Sequence, residues 1–215
     1  MSRGGTGRFL VLEGIDGAGT TTQLSRLAEA LRQEGYRVVA TREPSDGPVG
    51  VLIRQALTHR LTGPGGTPLP DELLALLFAA DRMDHLASVI EPALAAGEVV
   101  LSDRYILSSF AYQGLRLPLA WIEALNSRAR APDMTLYLDV EPSTARARRG
   151  VRGGKPELFE SDRLQARVAG AYRRLLRKHG RSQRVVRIDG ARSPDEVTQQ
   201  LLQGARAVLP RRRRR

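Results

Sequence analysis

The sequence predicts an α/β fold, a doubly wound parallel sheet of five strands with helices on both faces, and three observations predict it. Short apolar runs bounded by glycine or acidic residues recur five times along the chain, and unbroken apolarity over four or five residues marks strands covered on both sides. Helical periodicity fills the intervals between these runs, so strand and helix alternate from end to end. The length of 215 residues and an apolar content of 41% match one domain with a sizeable core.

In chain order, Phe9 to Leu12 is the first strand, followed by a glycine-rich stretch and a helix with Leu24, Leu27 and Leu31 on one face. Val38 to Ala40 is the second strand. A long helical pattern runs from Pro70 to Ala96, and Val99 to Leu101 reads as the third strand. A helix near Leu119 to Ala129, a strand from Thr135 to Leu138, a helix from Ser161 to His179, a strand from Val185 to Ile188 and a helix from Ser193 to Leu209 complete the alternation. Three stretches break it: Glu43 to Gly50, Leu61 to Pro70, and Arg146 to Glu160. The last sets Arg146, Arg148, Arg149, Arg152 and Lys155 among Gly150, Gly153 and Gly154, a basic, glycine-flexible composition suited to a mobile cover over an anion. The expected organisation is one domain over residues 1–209, with a lid at about 146–160. A tail follows at 210–215, whose arginines repel one another, stay disordered and are dispensable.

Absent cysteine removes disulfides and thiolate metal sites. No stretch reaches the ~18 apolar residues needed to span a bilayer, so a soluble, cytoplasmic protein without membrane contact is expected. Lysine plus arginine number 34 against 23 acidic residues, a net charge of +11, but Arg211 to Arg215 supply five of these charges. The moderately basic body contains only two lysines, Lys155 and Lys178, and suits phosphate-bearing ligands; no specific nucleic-acid partner is expected, because no recognition motif or stacking platform accompanies the arginines. His59, His85 and His179 are scattered, without metal-ligand spacing. Trp121 reads as a packing residue, and Asp189 with Gly190 as a strand-ending turn.

The chemistry concentrates after the first strand. Gly14, Ile15, Asp16, Gly17, Ala18, Gly19, Thr20, Thr21 and Thr22 lie between a buried strand and an amphipathic helix, the setting of a phosphate-binding loop. Glycines are needed there because successive backbone N–H groups must wrap a phosphate at close range, while the following helix points its N-terminus at the same anion. Thr21 stands where the hydroxyl ligand to Mg2+ belongs. The usual pattern G-x-x-x-x-G-K-[ST] is broken at one place: Thr20 occupies the position of the lysine that reaches the β- and γ-phosphates. A second acid, Asp103, ends the third strand, where a carboxylate can hold Mg2+ at the carboxyl edge of the sheet.

Asp103 also begins a longer run, Asp103-Arg-Tyr-Ile-Leu-Ser-Ser-Phe-Ala-Tyr-Gln-Gly114, that resembles the D-R-Y-x-x-S-x-x-A-Y-Q-G signature of thymidylate kinases. Thr41 to Pro44 resembles that family's R-E-P turn, Leu76 to Arg82 its L-F-A-A-D-R helix, and Leu10 to Asp16 its first strand and loop. The resemblance extends from about Arg8 to Leu202. It implies a P-loop nucleoside monophosphate kinase that uses ATP and Mg2+ to phosphorylate dTMP, and a homodimer. It further implies that Phe78 stacks on thymine and that Arg82 hydrogen-bonds its carbonyl edge. Arg104 would grip the acceptor phosphate, and Asp16 would meet the acceptor sugar or the metal. Ser109, Tyr112 and Gln113 would line base and sugar, with Arg42 and Glu43 approaching from the second strand.

Two departures go together. Thr20 leaves the phosphates short of a positive charge, and the lid reads Arg149-Gly-Val-Arg-Gly-Gly-Lys-Pro-Glu-Leu-Phe-Glu160 where many members carry R-G-x-x-D-R-x-E. Lys155 is the expected replacement for the missing lysine, with Arg149, Arg152 and Arg148 as further cations. The alternative is a catalytically impaired nucleotide-binding regulator of the same fold.

Overall fold

The computed structural model describes residues 7–152, 158–159, 161–179 and 184–210; the side chains of residues 151, 152, 178 and 179 are not among the described atoms. The C-terminal arginines and Lys155 therefore lie outside the described residues.

Five strands form one parallel sheet: β1 (Arg8–Gly14), β2 (Val38–Arg42), β3 (Val99–Asp103), β4 (Met134–Asp139) and β5 (Val185–Asp189), in the order β2-β3-β1-β4-β5. Each contains the apolar run expected of it. β1 sits at the centre, paired with β3 on one side (Leu12 opposite Asp103) and with β4 on the other (Leu12 opposite Leu136). Alternation of side chains sends Leu10 and Leu12 to one face and Phe9, Val11 and Glu13 to the other. Helices α1 (Thr20–Gln33) and α9 (Pro194–Arg206) cover the first face, packing Leu24, Leu27, Leu31, Val197 and Leu201 against Leu10 and Leu12. Phe9, Val11 and Val100 pack against Leu86, Ile90 and Leu94 on the second.

Residues 70–96, expected as one helix, are one continuous rod with an irregularity. Helix α3 (Asp71–His85) passes through a π-helical turn, Leu86–Ile90, into α4 (Glu91–Ala95). Pro92 lies just beyond that turn. It offers no N–H to a regular ladder, and a π turn absorbs such a misfit without ending the helix.

Five further α-helices lie among the described residues. α2 (Pro48–Leu57) occupies part of one pattern-breaking stretch, with Pro48 at its first turn and Ile53, Ala56 and Leu57 buried. α5 (Ile106–Tyr112) follows β3, and α6 is shorter than expected, ending at Leu125. α7 (Pro142–Arg152) carries the expected lid's first residues in regular helix, and α8 (Asp162–His179) follows it. Among the described residues, no helix is long and apolar enough to cross a membrane. The sheet order changes direction at β1 and β3, and the carboxyl ends of neighbouring strands at such a switch form a crevice for ligands.

Candidate active site

At the end of β1 the chain turns through Gly17 (φ 88°) and Gly19 (φ 94°) into α1. Both backbone conformations are costly for residues with a Cβ. At Gly17 a Cβ would also stand 2.4 Å from the Ala145 carbonyl of α7, so the loop and the lid's base are in direct contact. Among the described residues no side chain caps α1, which leaves its first N–H groups and its positive dipole end for an anion. Thr20 is buried and adds no charge.

Thr21 Oγ1 donates to Asp103 Oδ2 at 2.5 Å, while Asp103 Oδ1 is buried with no partner among the described residues. An orphaned carboxylate oxygen next to a hydroxyl is a hard, oxygen-only donor set that fits Mg2+, and these are the two metal positions expected from the sequence.

Asp16 is the most heavily engaged residue of the loop. Its Oδ1 accepts from Arg104 Nη2 at 2.5 Å, its carbonyl from Arg149 Nη1 at 2.5 Å, and its N–H donates to Gln165 Oε1 at 3.0 Å. Arg104 itself adopts φ 72°, rare for a residue with a Cβ, and its Nη1 donates to the Gly14 carbonyl (2.9 Å) and to Ser108 Oγ (3.2 Å). Its guanidinium lies over the Tyr112 ring, 5.3 Å from the centroid. Backbone held in a sparse region next to a phosphate loop marks a site where geometry is set by its surroundings.

Beneath this cluster lies Glu13, wholly buried. It accepts from the Tyr105 and Ser108 N–H groups (3.0 and 3.2 Å), from Ser108 Oγ (2.7 Å) and from the Tyr172 hydroxyl (2.8 Å). Burial pushes its carboxyl up to about 7, against the pull of its hydrogen bonds to Ser108 and Tyr172 and of the Arg104 charge.

Beside the loop is a cavity of about 130 Å³, and eight of the residues expected at the acceptor line it: Asp16, Glu43, Phe78, Arg82, Arg104, Ser109, Tyr112 and Gln113. Arg82 is fully buried. Its Nε and Nη2 donate to Glu43 Oε2 (3.0 and 2.7 Å), Nη2 also to Ser109 Oγ (3.1 Å), and Nη1 to Asn126 Oδ1. Four of its five N–H donors are thus engaged, and one Nη1 hydrogen has no acceptor among the described residues. Glu43 also faces His85, whose other nitrogen is 2.7 Å from Thr41 Oγ1, so His85 belongs to this buried cluster. Asp81 anchors the turn after β2, accepting from the Ser45 N–H and hydroxyl.

Arg42 is not brought to the cavity. It is exposed and its Nη2 donates to Asp46 at 2.7 Å. Of the lid cations, Arg148 Nη1 donates to the Ala18 carbonyl (3.2 Å), and Arg149 reaches both the loop and Asp162 (2.8 Å). The Arg152 side chain and Lys155 lie outside what the structure describes.

Sequence reasoning missed Leu57 and Phe159, which also line the cavity, because both come from stretches with no assigned element. Gln165 was missed as well. A lone amide in a helical pattern gives no signal until the fold places it against Asp16.

A sequence model of the family described as thymidylate kinase matches residues 12–201. A Pyrococcus horikoshii protein named probable thymidylate kinase is 43% identical over 170 residues, covering 79% of this chain and 82% of its own. Its counterpart from Thermococcus kodakarensis is 45% identical over 173 residues, covering 78% and 83%. A Synechococcus protein named thymidylate kinase is 40% identical over 209 residues, covering 94% and 96%. The match spans both the phosphate loop and the cavity beside it, and the chain belongs to the thymidylate kinase family.

Proposed function

We propose that the protein is a cytoplasmic kinase that transfers the γ-phosphoryl group of ATP to dTMP, giving dTDP and ADP, in thymidine nucleotide biosynthesis. The observation that carries this reading is the juxtaposition of loop and cavity, with Asp16 belonging to both and Arg104 of the cavity wall hydrogen-bonded to the loop. The loop from Gly14 to Thr22 receives the phosphates of ATP on backbone N–H groups. In the cavity Phe78 stacks on the base, Arg82 turns its remaining hydrogen to the carbonyl at the fourth position, and Ser109, Tyr112 and Gln113 enclose base and sugar. Asp16 accepts from the sugar hydroxyl, and Arg104 holds the acceptor phosphate as a bidentate partner. Glu43 acts through Arg82, which it holds in place. Arg42 reaches the acceptor only by leaving Asp46.

An acceptor phosphate oxygen attacks the γ-phosphorus in line, and the bond to the β-bridging oxygen breaks. Such a transfer asks the protein mainly for positioning and neutralisation of charge. Mg2+ held by Thr21 and Asp103 supplies part of that neutralisation when bound. The charge absent at Thr20 comes from the lid's base, where Arg148 and Arg149 already touch the loop; Arg152 and Lys155 follow on the same segment and belong to the same proposal. The protein works as a homodimer, formed through the apolar faces of α2 and α3.

A coupled ADP-release assay across dTMP, dUMP, dCMP, dGMP and AMP tests the function. dTMP is the preferred acceptor. Cytosine presents an amino group where Arg82 offers only donors, so dCMP is turned over far more slowly. dUMP is rejected more weakly, since one methyl group is worth about 1–3 kcal/mol. Equal turnover of dCMP and dTMP overturns the assignment.

A further inference from the structure

We propose that Gln165 is a positioning residue that ties the Asp16 carboxylate to Phe159 and so aligns the oxygen that meets the acceptor sugar. Gln165 lies in the first turn of α8 and is completely buried. Every polar atom of its side chain is engaged. Oε1 accepts the Asp16 N–H (3.0 Å), and Nε2 donates to Asp16 Oδ2 (2.5 Å) and to the Phe159 carbonyl (2.7 Å). Only one orientation of the amide satisfies a backbone donor and two acceptors at once, so its two ends are not interchangeable.

Phe159 is itself fixed to the acceptor side of the cavity. Its ring lies 5.8 Å from that of Tyr112, edge to face, and the preceding Leu158 N–H donates to the Leu57 carbonyl (3.1 Å) at the end of α2. Residues 158–159 thus bridge α2 to the cavity wall, and Gln165 passes their position to Asp16. The carboxylate is gripped from two directions: Arg104, on the turn after β3, holds Oδ1, and Gln165 holds Oδ2. An apolar side chain of the same size fills the space and orients nothing. A glutamate keeps the contact to the Asp16 N–H but needs a proton to face Asp16 Oδ2 or the Phe159 carbonyl. These contacts make Gln165 a determinant of acceptor affinity with no contact to ATP, an inference that rests on the reading of Asp16 as the partner of the sugar hydroxyl.

The experiment compares Asp16→Asn, Gln165→Leu, Gln165→Glu and the double variant Asp16→Asn/Gln165→Leu in the full-length protein, measuring KM for dTMP and for ATP, kcat, and the pH dependence of kcat/KM for dTMP. Gln165→Leu is expected to raise KM for dTMP about tenfold with little change in KM for ATP. Gln165→Glu is expected to recover on acidification, its kcat/KM for dTMP rising at least about fivefold relative to the wild type between pH 8 and pH 5.5. The double variant is expected to be no worse than Asp16→Asn. If Asp16→Asn itself is silent, the reading of Asp16 fails. If Asp16→Asn is impaired while Gln165→Leu shifts both KM values alike or neither, or Gln165→Glu follows the wild-type pH profile, the positioning role is overturned. If Gln165→Leu folds poorly, Gln165→Glu keeps the test decisive: at pH 8 it is expected to raise KM for dTMP with KM for ATP unchanged, and an acid rescue that moves both KM values alike overturns the positioning role.

Discussion

Glu13 shows how little a position in the sequence can say of a residue's role. It follows the first apolar run, and in the fold its carboxylate is buried with four donors around it. In the unfolded chain the carboxyl ionises at its ordinary value of 4.5, whereas burial in the fold holds it protonated up to about 7. Between those values the folded state binds the extra proton, so Glu13 makes stability fall as pH rises from 4.5 to 7, by about 3 kcal/mol in total, with no further change above. Asp46 and Glu196, whose carboxyls are held below their ordinary values, act in the opposite sense and at lower pH. Thermal unfolding followed from pH 5 to 7.5 should show the decline, and Glu13→Gln should flatten it. A wild-type midpoint that rises steadily across this window contradicts the assignment.

Among the elements, α7 was legible in part. The sequence predicts a helix ending near Arg149, with the flexible lid beginning at about Arg146; in the fold Pro142 sets its first turn, Ala145 is buried, and regular helix continues to Arg152. That regularity holds Arg148 and Arg149 against the phosphate loop. Arg148→Ala and Arg149→Ala should each lower kcat by roughly 10² while KM for ATP changes little, because the charge is needed mainly in the reacting complex. Thr20→Lys in the weaker background should restore part of the rate. Near-normal kcat in both variants, and also in Arg152→Ala and Lys155→Ala, refutes a lid-supplied charge. The inner strands β1, β3 and β4 were legible because burial on both faces writes unbroken apolar runs, the edge strands β2 and β5 by shorter runs that are only partly buried, and α9 because Ser193 and Glu196 form a capping box ahead of its apolar face. α2 left a fainter trace, Pro48 followed by Ile53, Ala56 and Leu57 at helical spacing. At the site, residues on motifs were legible one by one. Gln165, Asn126 and Phe159 were not, since their roles exist only through neighbours distant in sequence.

On the scale of the molecule, the surface carries an asymmetry. Of the six exposed large apolar side chains among the described residues, Val51 and Leu52 lie on α2 and Leu73, Leu76 and Met83 on α3, the last three sharing one helix face. A contiguous apolar patch on two packed helices favours burial against a second copy. The wild type should sediment at about twice the chain mass of 23.6 kDa, and Leu73→Glu/Leu76→Glu at the single-chain mass. A wild type that sediments as a single chain at micromolar concentration rules out this dimer.

The placement of β1 has a further consequence, for the order in which the chain can assemble. β1, with Phe9, Leu10, Val11 and Leu12 fully apolar, precedes in the chain both of its neighbours, β3 and β4, which begin at Val99 and Met134. Its two edges wait for partners until those strands are made, and pairing must close loops of about 90 and 120 residues, the kind of long-range contact that slows folding and leaves nascent chains exposed to association. The strand bearing the phosphate loop is thus made well before the strands that enclose it.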